Sequence, residues 1–292
     1  MKSNLNRAQS LWTLALGGMP VLEYVYGEAD DVNPAFRVVR TPAGHDVAMY
    51  RPWDHPWHPG LFFSWKYVNG LNFWEAKYHG QPHTVATDAF EPEGENGFRQ
   101  SLSYVTSAGD TLLREERRVS VKAVSTGSGY AIVWRGAFVS AGGDVTLDRT
   151  PITEQSPWGG YAGLSVRLAR NYLGPVVTTD AGVFTAEEAT SKSFRWCDYA
   201  GKLDGVAQPA WAGVCIMDAP SNPRHPTHML TYDYKDMQFM QAAFLCHEPY
   251  VLRAGETLAL SFAVYVHDGQ AALEQLEKVW QELFGNESIL GG

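Results

Sequence analysis

The sequence predicts an all-β protein in which many short antiparallel strands form a large sandwich or a barrel, with one helix near the C-terminus. Three observations carry this prediction. Apolar and polar residues alternate with a period of two in several segments, as they do in strands with one face in water. Turn clusters rich in Gly, Asp and Ser separate these segments. Strong helical periodicity stands out in one segment, close to the C-terminus.

The individual strands follow from their own patterns. Residues 118–124 alternate cleanly, whereas residues 130–134 are apolar throughout, as in a strand that is buried on both faces. Residues 164–170 and 258–266 alternate again. The turn clusters between the predicted strands lie at residues 107–110, 126–129 and 141–144.

The predicted helix spans about residues 269–285. Asp268 can cap its N-terminus, and Gly285 can end it. Apolar residues recur at helical spacing on one face, namely Ala272, Leu273, Leu276, Val279, Trp280 and Leu283. We expect this apolar face to pack on a sheet, so the helix is predicted to be structural and not a partner-binding element.

Composition and charge restrict the classes of function. A chain of 292 residues that is 45% hydrophobic can build a large core, and a single β-sandwich domain over residues 1–292 is expected. The formal net charge of −9 argues against nucleic acid and anionic membranes as partners. Because no apolar run approaches about 18 residues and no signal peptide is recognisable, a cytoplasmic location is expected. The cysteines form no CxxC pair and indicate reduced core thiols at Cys197, Cys215 and Cys246.

The strongest functional signal is a histidine loop, residues 54–60, followed by an aromatic run. Proline follows both His55 and His58, and because proline fixes φ and removes a backbone donor, this loop is expected to hold both imidazoles rigidly. Imidazole titrates near neutral pH, so the pair can perform acid–base chemistry or ligate a metal, or it can simply tie down the loop. The candidate binding residues beyond the loop are Trp65, Trp74 and Glu75.

A second proline-braced loop, residues 218–229, presents Arg224 and His225. The guanidinium group offers a planar fork for a carboxylate, a phosphate or two sugar hydroxyls, or it can pair with Asp218 to brace the loop. His225 is a candidate acid or base. Asn222 is a further candidate contact to the substrate.

Three more polar residues are candidates for binding. Tyr161 and Arg167 are six positions apart, which would place them on the same face of one strand. Asp198 follows another predicted strand and can face the same cleft.

Motifs for nucleotide binding, for serine hydrolases and for zinc-dependent proteases are absent from the sequence, which contains no P-loop, GxGxxG, GxSxG or HExxH. His55, His58 and His225 could together ligate zinc, copper or iron. Loop histidines lack the fixed geometry of helical i, i+4 ligands, so no cofactor is expected, and a bound metal stays an alternative.

Several motifs are shared with a known group of proteins. They are Asp54 to Leu61, Val68 to Gly70 with Phe73 and Trp74, Asn222 to Thr227, and Gly255 to Gly269. In this combination the chain resembles a soluble bacterial family labelled "methane oxygenase PmoA-like". That family usually reads His-Pro-His-His-Arg-Gly at the first loop, whereas this chain has Trp57 and Pro59 at the third and fifth of those places. The resemblance implies positions and not a reaction.

A shorter motif, Cys246 to Pro249 followed by Val251 to Glu256, is similar to the end of the aldose 1-epimerases. This resemblance implies a galactose mutarotase-like β-sandwich. It also implies that Glu248 is the base that deprotonates an anomeric hydroxyl, with His55, His58 or His225 as the acid.

These features predict a carbohydrate-active enzyme that performs acid–base chemistry on a sugar or keto-glycoside by epimerisation, β-elimination or hydrolysis. The expected partner is a small-molecule sugar. The alternatives are a non-catalytic sugar-binding module and a metal-dependent lyase or oxygenase. The leading prediction requires two loops that are about 165 positions apart to converge on one cavity.

Overall fold

The computed structural model describes residues 1–27, 33–75, 78, 80 and 83–285. Its strands, in chain order, are β1 Lys2–Asn6, β2 Leu11–Leu16, β3 Met19–Val25, β4 Ala35–Val39, β5 Leu61–Ser64, β6 Tyr67–Val68, β7 Leu71–Asn72, β8 Thr84–Pro92, β9 Gly97–Val105, β10 Thr111–Ala123, β11 Gly129–Ser140, β12 Val145–Asp148, β13 Gly163–Arg167, β14 Tyr172–Thr179, β15 Gly182–Phe184, β16 Lys192–Ser193, β17 Trp196–Leu203, β18 Trp211–Asp218, β19 His228–Tyr234, β20 Met237–Ala243, β21 Tyr250–Leu252 and β22 Thr257–Asp268. The helices are a 3₁₀ turn at Arg7–Gln9, α1 Ala186–Ala189 and α2 Leu273–Phe284.

In the described part of the chain, the strands pair antiparallel into three sheets. The first sheet has nine strands in the order β1-β2-β3-β4-β5-β13-β20-β19-β16. The second also has nine, in the order β15-β14-β17-β18-β22-β11-β10-β9-β8, and a small sheet has the order β21-β12-β6-β7. The predicted all-β antiparallel sandwich with a C-terminal helix is confirmed.

The main core lies between the two nine-stranded sheets. Trp12 in the first sheet meets Phe98 in the second with ring centroids 5.3 Å apart, and Phe63 stacks on Trp134 at 4.5 Å. Each such side chain contributes roughly 1.5–3 kcal/mol when it is fully removed from water. Aromatic packing across the sandwich therefore fixes how the two sheets face each other.

The first sheet is packed on its outer face as well. Leu61 and Phe63 of β5 face the main core, whereas Phe62 belongs to a second apolar cluster that includes Trp74 and Phe239. This explains why Leu61, Phe62 and Phe63 of β5 are all apolar, because both faces of the strand are buried. The outer cluster of the first sheet is the floor on which the candidate site is built.

Helix α2 packs on the outer face of the second sheet, as predicted. Its buried residues Leu276, Val279 and Trp280 share an apolar cluster with Cys215 and Tyr265. The indole of Trp280 also donates a hydrogen bond to the carbonyl of Asp218 at 3.0 Å.

Two predictions about the start of this helix are wrong: Asp268 does not cap it, and Leu273 does not lie on its buried face. Asp268 is the last residue of β22, and its carboxylate accepts a hydrogen bond from the backbone of Ala43 at 2.9 Å. The helix begins after Ala272 without a side-chain cap, and Leu273 is 39% exposed. The apolar alternation ends at residue 266, but β22 extends to Asp268. Asp268 is therefore paired in the sheet and does not cap the helix.

A charged pair lies inside the main core. Glu115 and Arg117 point to the same side of β10, and the Nε atom of Arg117 donates to Glu115 at 2.6 Å. Nη1 of Arg117 donates to the hydroxyl of Tyr24 on the first sheet at 3.0 Å. Burial raises the pKa of Tyr24 to about 12, so this hydroxyl stays protonated. The neighbouring Arg118 points to the opposite face of the sheet, where it is exposed.

All three cysteines are buried and free, as predicted.

Candidate functional site

A pocket of about 320 Å³ opens on the outer face of the first sheet. Its volume is at the lower end of the range of about 300–1,000 Å³ that is usual for small-molecule sites. The residues that line it are His55, Trp57, His58, Trp74, Glu75, Trp158, Tyr161, Tyr232, Tyr234, Met237 and Phe239. Aromatic and titratable side chains therefore share one concave surface.

The backbone of the histidine loop is fixed by its own hydrogen bonds and by the sheet. The amide of His58 donates to the carbonyl of His55 at 2.9 Å, and the amide of Arg167 in β13 donates to the carbonyl of Gly60 at 2.9 Å. Gly60 has φ of +92°, and a Cβ there would lie 2.3 Å from the carbonyl oxygen of Phe36. Only glycine fits at position 60, where the loop leads back into β5.

Asp54 orients His55 and anchors the loop to β13. Its Oδ2 atom lies 2.9 Å from Nδ1 of His55 and accepts a hydrogen bond from Nη2 of Arg167 at 2.7 Å. Arg170 donates to the other oxygen. With Nδ1 directed at the carboxylate, Nε2 is the His55 nitrogen that can exchange a proton with a ligand.

The charge on Asp54 is strongly favoured. Partial burial acts to raise the pKa of this carboxyl, but hydrogen bonds from Arg167 and His55 outweigh burial and hold the pKa at about 2. Arg167 itself is fully buried, and its Nε and Nη1 atoms have no hydrogen-bond partner. The guanidinium therefore depends on Asp54 for its counter-charge.

His58 is a buried, neutral imidazole at the floor of the pocket. It stacks on Phe239 with centroids 5.1 Å apart and on His55 at 4.8 Å. Burial lowers its pKa well below 6.5, and the neighbouring side chains of His55 and Arg167 act in the same direction. Its Nδ1 atom is buried without a hydrogen-bond partner. This ring can offer a ligand a neutral donor or acceptor.

Glu75, Lys66 and Tyr161 form the second polar group of the pocket. The ammonium of Lys66 lies 2.6 and 2.5 Å from the two oxygens of Glu75, and both residues are buried. The hydroxyl of Tyr161 donates to Glu75 at 3.2 Å. Burial and the Glu75 charge raise the pKa of Tyr161, so its hydroxyl is a proton donor at neutral pH.

Aromatic rings continue from these groups to the rim. Trp74 meets Tyr161 with centroids 5.1 Å apart, and Tyr161 meets Trp158 at 6.0 Å. Trp158 is 47% exposed and Tyr234 is 55% exposed. Large apolar side chains that stay exposed beside a pocket provide flat surfaces for a ligand.

Residues 12–281 match the family described as "Family of unknown function (DUF6807)". The chain belongs to this family. The description gives no activity, so the motif resemblances to PmoA-like proteins and to aldose 1-epimerases stay expectations. No curated protein is significantly similar to this DUF6807 chain.

The solved structures that match this chain are only distantly similar to it. The heparan sulfate lyase HepC from Pedobacter heparinus is 9% identical with a TM-score of 0.42, and 93% of this chain aligns with 37% of that chain. A HepC mutant gives 9% identity and a TM-score of 0.41 over the same shares. HI1317 is 7% identical with a TM-score of 0.33, over 91% of this chain and 98% of that chain. The chain thus spans about a third of the lyase that it matches.

The structure brings together five of the candidate residues that the sequence suggested, and it places a sixth behind them. The residues that line the pocket are His55, His58, Trp74, Glu75 and Tyr161. Arg167 does not line it but donates a hydrogen bond to Asp54, which in turn bonds His55. Tyr161 precedes β13 and is not on the same strand as Arg167. The expectation that they share one strand is therefore wrong, although both serve the same site.

Sequence reasoning missed six residues of the pocket wall, namely Trp57, Trp158, Tyr232, Tyr234, Met237 and Phe239. Two signals were available. Trp158 is a large apolar residue in a Pro- and Gly-rich turn, where no core position is expected. Tyr232 and Tyr234 are two positions apart on β19 and so share a face, with ring centroids 5.5 Å apart.

Two predicted binding residues are buried elsewhere. Trp65 is fully buried in the main core and packs edge-on against Phe63 and Phe138. Asp198 is buried in the second sheet, where its Oδ1 atom lies 3.0 Å from Nε2 of His267. Neither side chain lines the pocket, because Trp65 packs in the main core and Asp198 belongs to the second sheet.

The second proline-braced loop does not converge with the first on this pocket. Nδ1 of His225 lies 2.7 Å from the buried carboxylate of Asp218, and its ring stacks on Trp280 of helix α2. Asn222 donates to Asp218 at 2.7 Å and to the carbonyl of Ser261 at 2.6 Å. These contacts tie the loop to the second sheet and to α2.

Arg224 and Glu248 also lie outside the pocket. Arg224 donates to the carbonyls of Phe244, Glu248 and Pro249 at 2.9–3.1 Å, and its guanidinium lies over the ring of Phe244. The Glu248 side chain is 70% exposed and pairs with Arg224 at 3.1 Å. The arginine fork is thus occupied by the backbone that it holds in place.

The described residues contain no group of three or more His, Cys, Asp or Glu side chains arranged to hold a metal ion. The histidine set proposed from the sequence is divided, since His225 is bonded to Asp218 and does not line the pocket. Within the same residues, no helix is long and apolar enough to cross a bilayer.

Asp54→Asn is expected to remove one component of the pH dependence of stability. Because the folded pKa of Asp54 is about 2 and its ordinary value is 3.8, the ion pair stabilises the fold fully above pH 3.8 and loses that contribution as the pH falls toward 2. Urea unfolding from pH 2 to 5 measures the free energy of unfolding. Wild type should lose more stability over this range than Asp54→Asn, and parallel curves would contradict the assignment.

His225→Ala is expected to destabilise the protein and to leave the pocket unchanged. The substitution leaves the buried Asp218 without one partner, which costs about 1–3 kcal/mol. Urea unfolding at neutral pH gives the measurement. His247→Ala is the control, because His247 is exposed and its loss should stay within about 0.5 kcal/mol. Equal stability of the two variants would show that the Asp218 contact contributes little.

Proposed function

We propose that the pocket binds a carbohydrate and that the chain is an acid–base enzyme that acts on it. The observation that carries this proposal is that aromatic faces, an oriented imidazole and a protonated tyrosine hydroxyl line one small pocket. A sugar ring has apolar C–H faces and a polar hydroxyl edge. It therefore needs both kinds of surface at close range.

The aromatic wall provides the binding surface. Trp57, Trp74, Trp158 and Tyr161 are linked by ring contacts or lie around the same opening. Their rings are held by neighbouring side chains, so little conformational entropy is lost when a ligand stacks on them. Hydroxyls of the same ligand can meet the part of the His58 ring that lines the pocket.

His55 and Tyr161 are the groups proposed to transfer protons. His55, oriented by Asp54, accepts a proton at Nε2 from a hydroxyl or from an activated carbon of the sugar. Tyr161, whose hydroxyl donates to Glu75 at 3.2 Å in the free protein, turns this donor to the substrate oxygen that gains electrons and gives it the proton. Exchange with solvent resets both residues, so the cycle fits epimerisation, elimination or hydrolysis.

A non-catalytic sugar-binding module is the second candidate, and one observation favours it. Both oxygens of Glu75 are held by the ammonium of Lys66 at 2.6 and 2.5 Å. A carboxylate in such a pair is a poor general base, because protonating it breaks the ion pair. In this case Glu75 and Lys66 only shape the pocket.

Binding is tested by calorimetric titration of hexoses, hexuronic acids and their methyl glycosides. A sugar that binds wild type should bind Trp57→Ala and Trp158→Ala roughly 2- to 10-fold more weakly, because each variant loses one stacking face. Trp53→Ala is the matched control, since Trp53 is 80% exposed and does not line the pocket. Absence of saturable binding across the panel, or equal affinities for wild type and all three variants, would contradict the proposal.

Catalysis is tested on the sugars that bind. Proton NMR in D₂O follows both product formation and exchange of substrate C–H protons. For an enzyme, His55→Ala and Tyr161→Phe should each lower kcat about 10²- to 10⁴-fold while Kd changes little. Wild-type protein that binds a sugar without product or exchange would instead identify a binding module.

A further inference from the structure

The hairpin of β19 and β20 contributes four residues from one of its faces to the wall of the aromatic pocket. Tyr232 is directly opposite Phe239, and Tyr234 is directly opposite Met237. Residues two apart on a strand share a face, so these two cross-strand pairs lie side by side. All four side chains line the pocket, and we call this set the hairpin platform.

The rings of the hairpin platform form a near-parallel series that runs from the floor of the pocket to its rim. His58 at the floor lies 5.1 Å from Phe239 with 26° between the ring planes, and Phe239 lies 6.2 Å from Tyr232 at 21°. Tyr232 lies 5.5 Å from Tyr234 at 15°. Phe239 and Tyr232 are buried, whereas Tyr234 is 55% exposed. The series therefore ends in an aromatic ring that a ligand can reach.

The turn of the same hairpin is fixed to the histidine loop. The carbonyl of Asp236 accepts hydrogen bonds from Nη2 of Arg167 at 2.7 Å and from Nε of Arg170 at 3.2 Å. Both arginines also bond Asp54, which orients His55. The hairpin platform is therefore held in a defined position relative to the imidazole that is proposed to transfer protons.

The hairpin platform is better suited to an aromatic ring than to a second sugar. The hydroxyl of Tyr232 already donates to the carbonyl of Trp158 at 3.3 Å, and Phe239 has no polar side-chain atom. The thioether of Met237 is a weak acceptor that makes favourable contacts with aromatic rings. A second sugar would lose water from its hydroxyls here and find few partners in return, whereas an aromatic ring has no hydroxyls to desolvate.

We propose that the hairpin platform is a subsite for an aromatic aglycone, so that the substrate is an aryl glycoside. This subsite rests on the proposed function, in which the sugar ring lies beside His55 and Tyr161. The aglycone extends from the sugar over Met237 and Tyr234 toward the rim. Offset stacking of its ring on Tyr234 adds affinity that a methyl glycoside cannot gain.

Calorimetric titration of the full chain tests the subsite with glycosides that differ only in the aglycone. The probes are the methyl, cyclohexyl and phenyl glycosides of glucose, galactose and mannose in both anomeric forms, together with cellobiose, lactose and phenol. For a sugar that fits the pocket, the phenyl glycoside should bind wild type about ten-fold more tightly than the methyl glycoside. The cyclohexyl glycoside, which is apolar but not flat, and the disaccharides should gain less than about three-fold.

Tyr234→Ala should reduce the advantage of the phenyl over the methyl glycoside to less than about three-fold, because the exposed stacking face is lost. The same variant should leave the affinity for the methyl glycoside nearly unchanged. Leu173→Ala is the control, since Leu173 is 51% exposed on β14 and does not line the pocket, and it should keep the full advantage. Thermal unfolding confirms that each variant is folded.

The outcomes separate this subsite from the proposed function. Methyl glycosides that bind without any gain from the phenyl group overturn the subsite and leave the sugar pocket standing. Phenol that binds as tightly as the phenyl glycosides, while no methyl glycoside binds, contradicts the sugar pocket. A phenyl advantage that Tyr234→Ala does not reduce, or an equal gain for cyclohexyl glycosides or disaccharides, overturns the assignment to an aromatic aglycone. Absence of saturable binding by every phenyl glycoside overturns it as well.

Discussion

The ion pair between Asp54 and Arg167 is the interaction on which the candidate site depends. Arg167 is fully buried on a central strand of the first sheet, where a guanidinium without a counter-charge would be costly. Asp54 provides that charge from the histidine loop and at the same time bonds Nδ1 of His55. A single carboxylate thus anchors the loop, neutralises the arginine and fixes which imidazole nitrogen faces the pocket.

The first sheet can carry a site because both of its faces are packed. One face meets the second sheet through contacts such as Phe63 on Trp134, and the other supports the cluster around Phe62 and Phe239. A sheet that is held from both sides moves little, so His58 on Phe239 and Trp74 beside Phe62 keep their positions. This rigidity lets short loops present polar groups with defined geometry.

The two proline-braced loops show how similar sequences acquire different roles. In both, a histidine precedes a proline and its Nδ1 atom pairs with an aspartate, Asp54 or Asp218. His55 lines an open pocket, whereas the ring of His225 stacks on Trp280. The difference lies in what covers the loop, because helix α2 packs over the second loop.

The sequence by itself determined the all-β class, the C-terminal helix, the stiff histidine loop and the aromatic character of its surroundings, since periodicity and proline act locally. It could not separate Trp74, which lines the pocket, from Trp65, which fills the core, because both lie in one apolar run. Tertiary structure decided that distinction, as it decided that Arg224 binds backbone carbonyls and that Asp198 pairs with His267. Each of these outcomes depends on strand register and sheet order across distant segments, and no local pattern encodes which residues those pairings bring together.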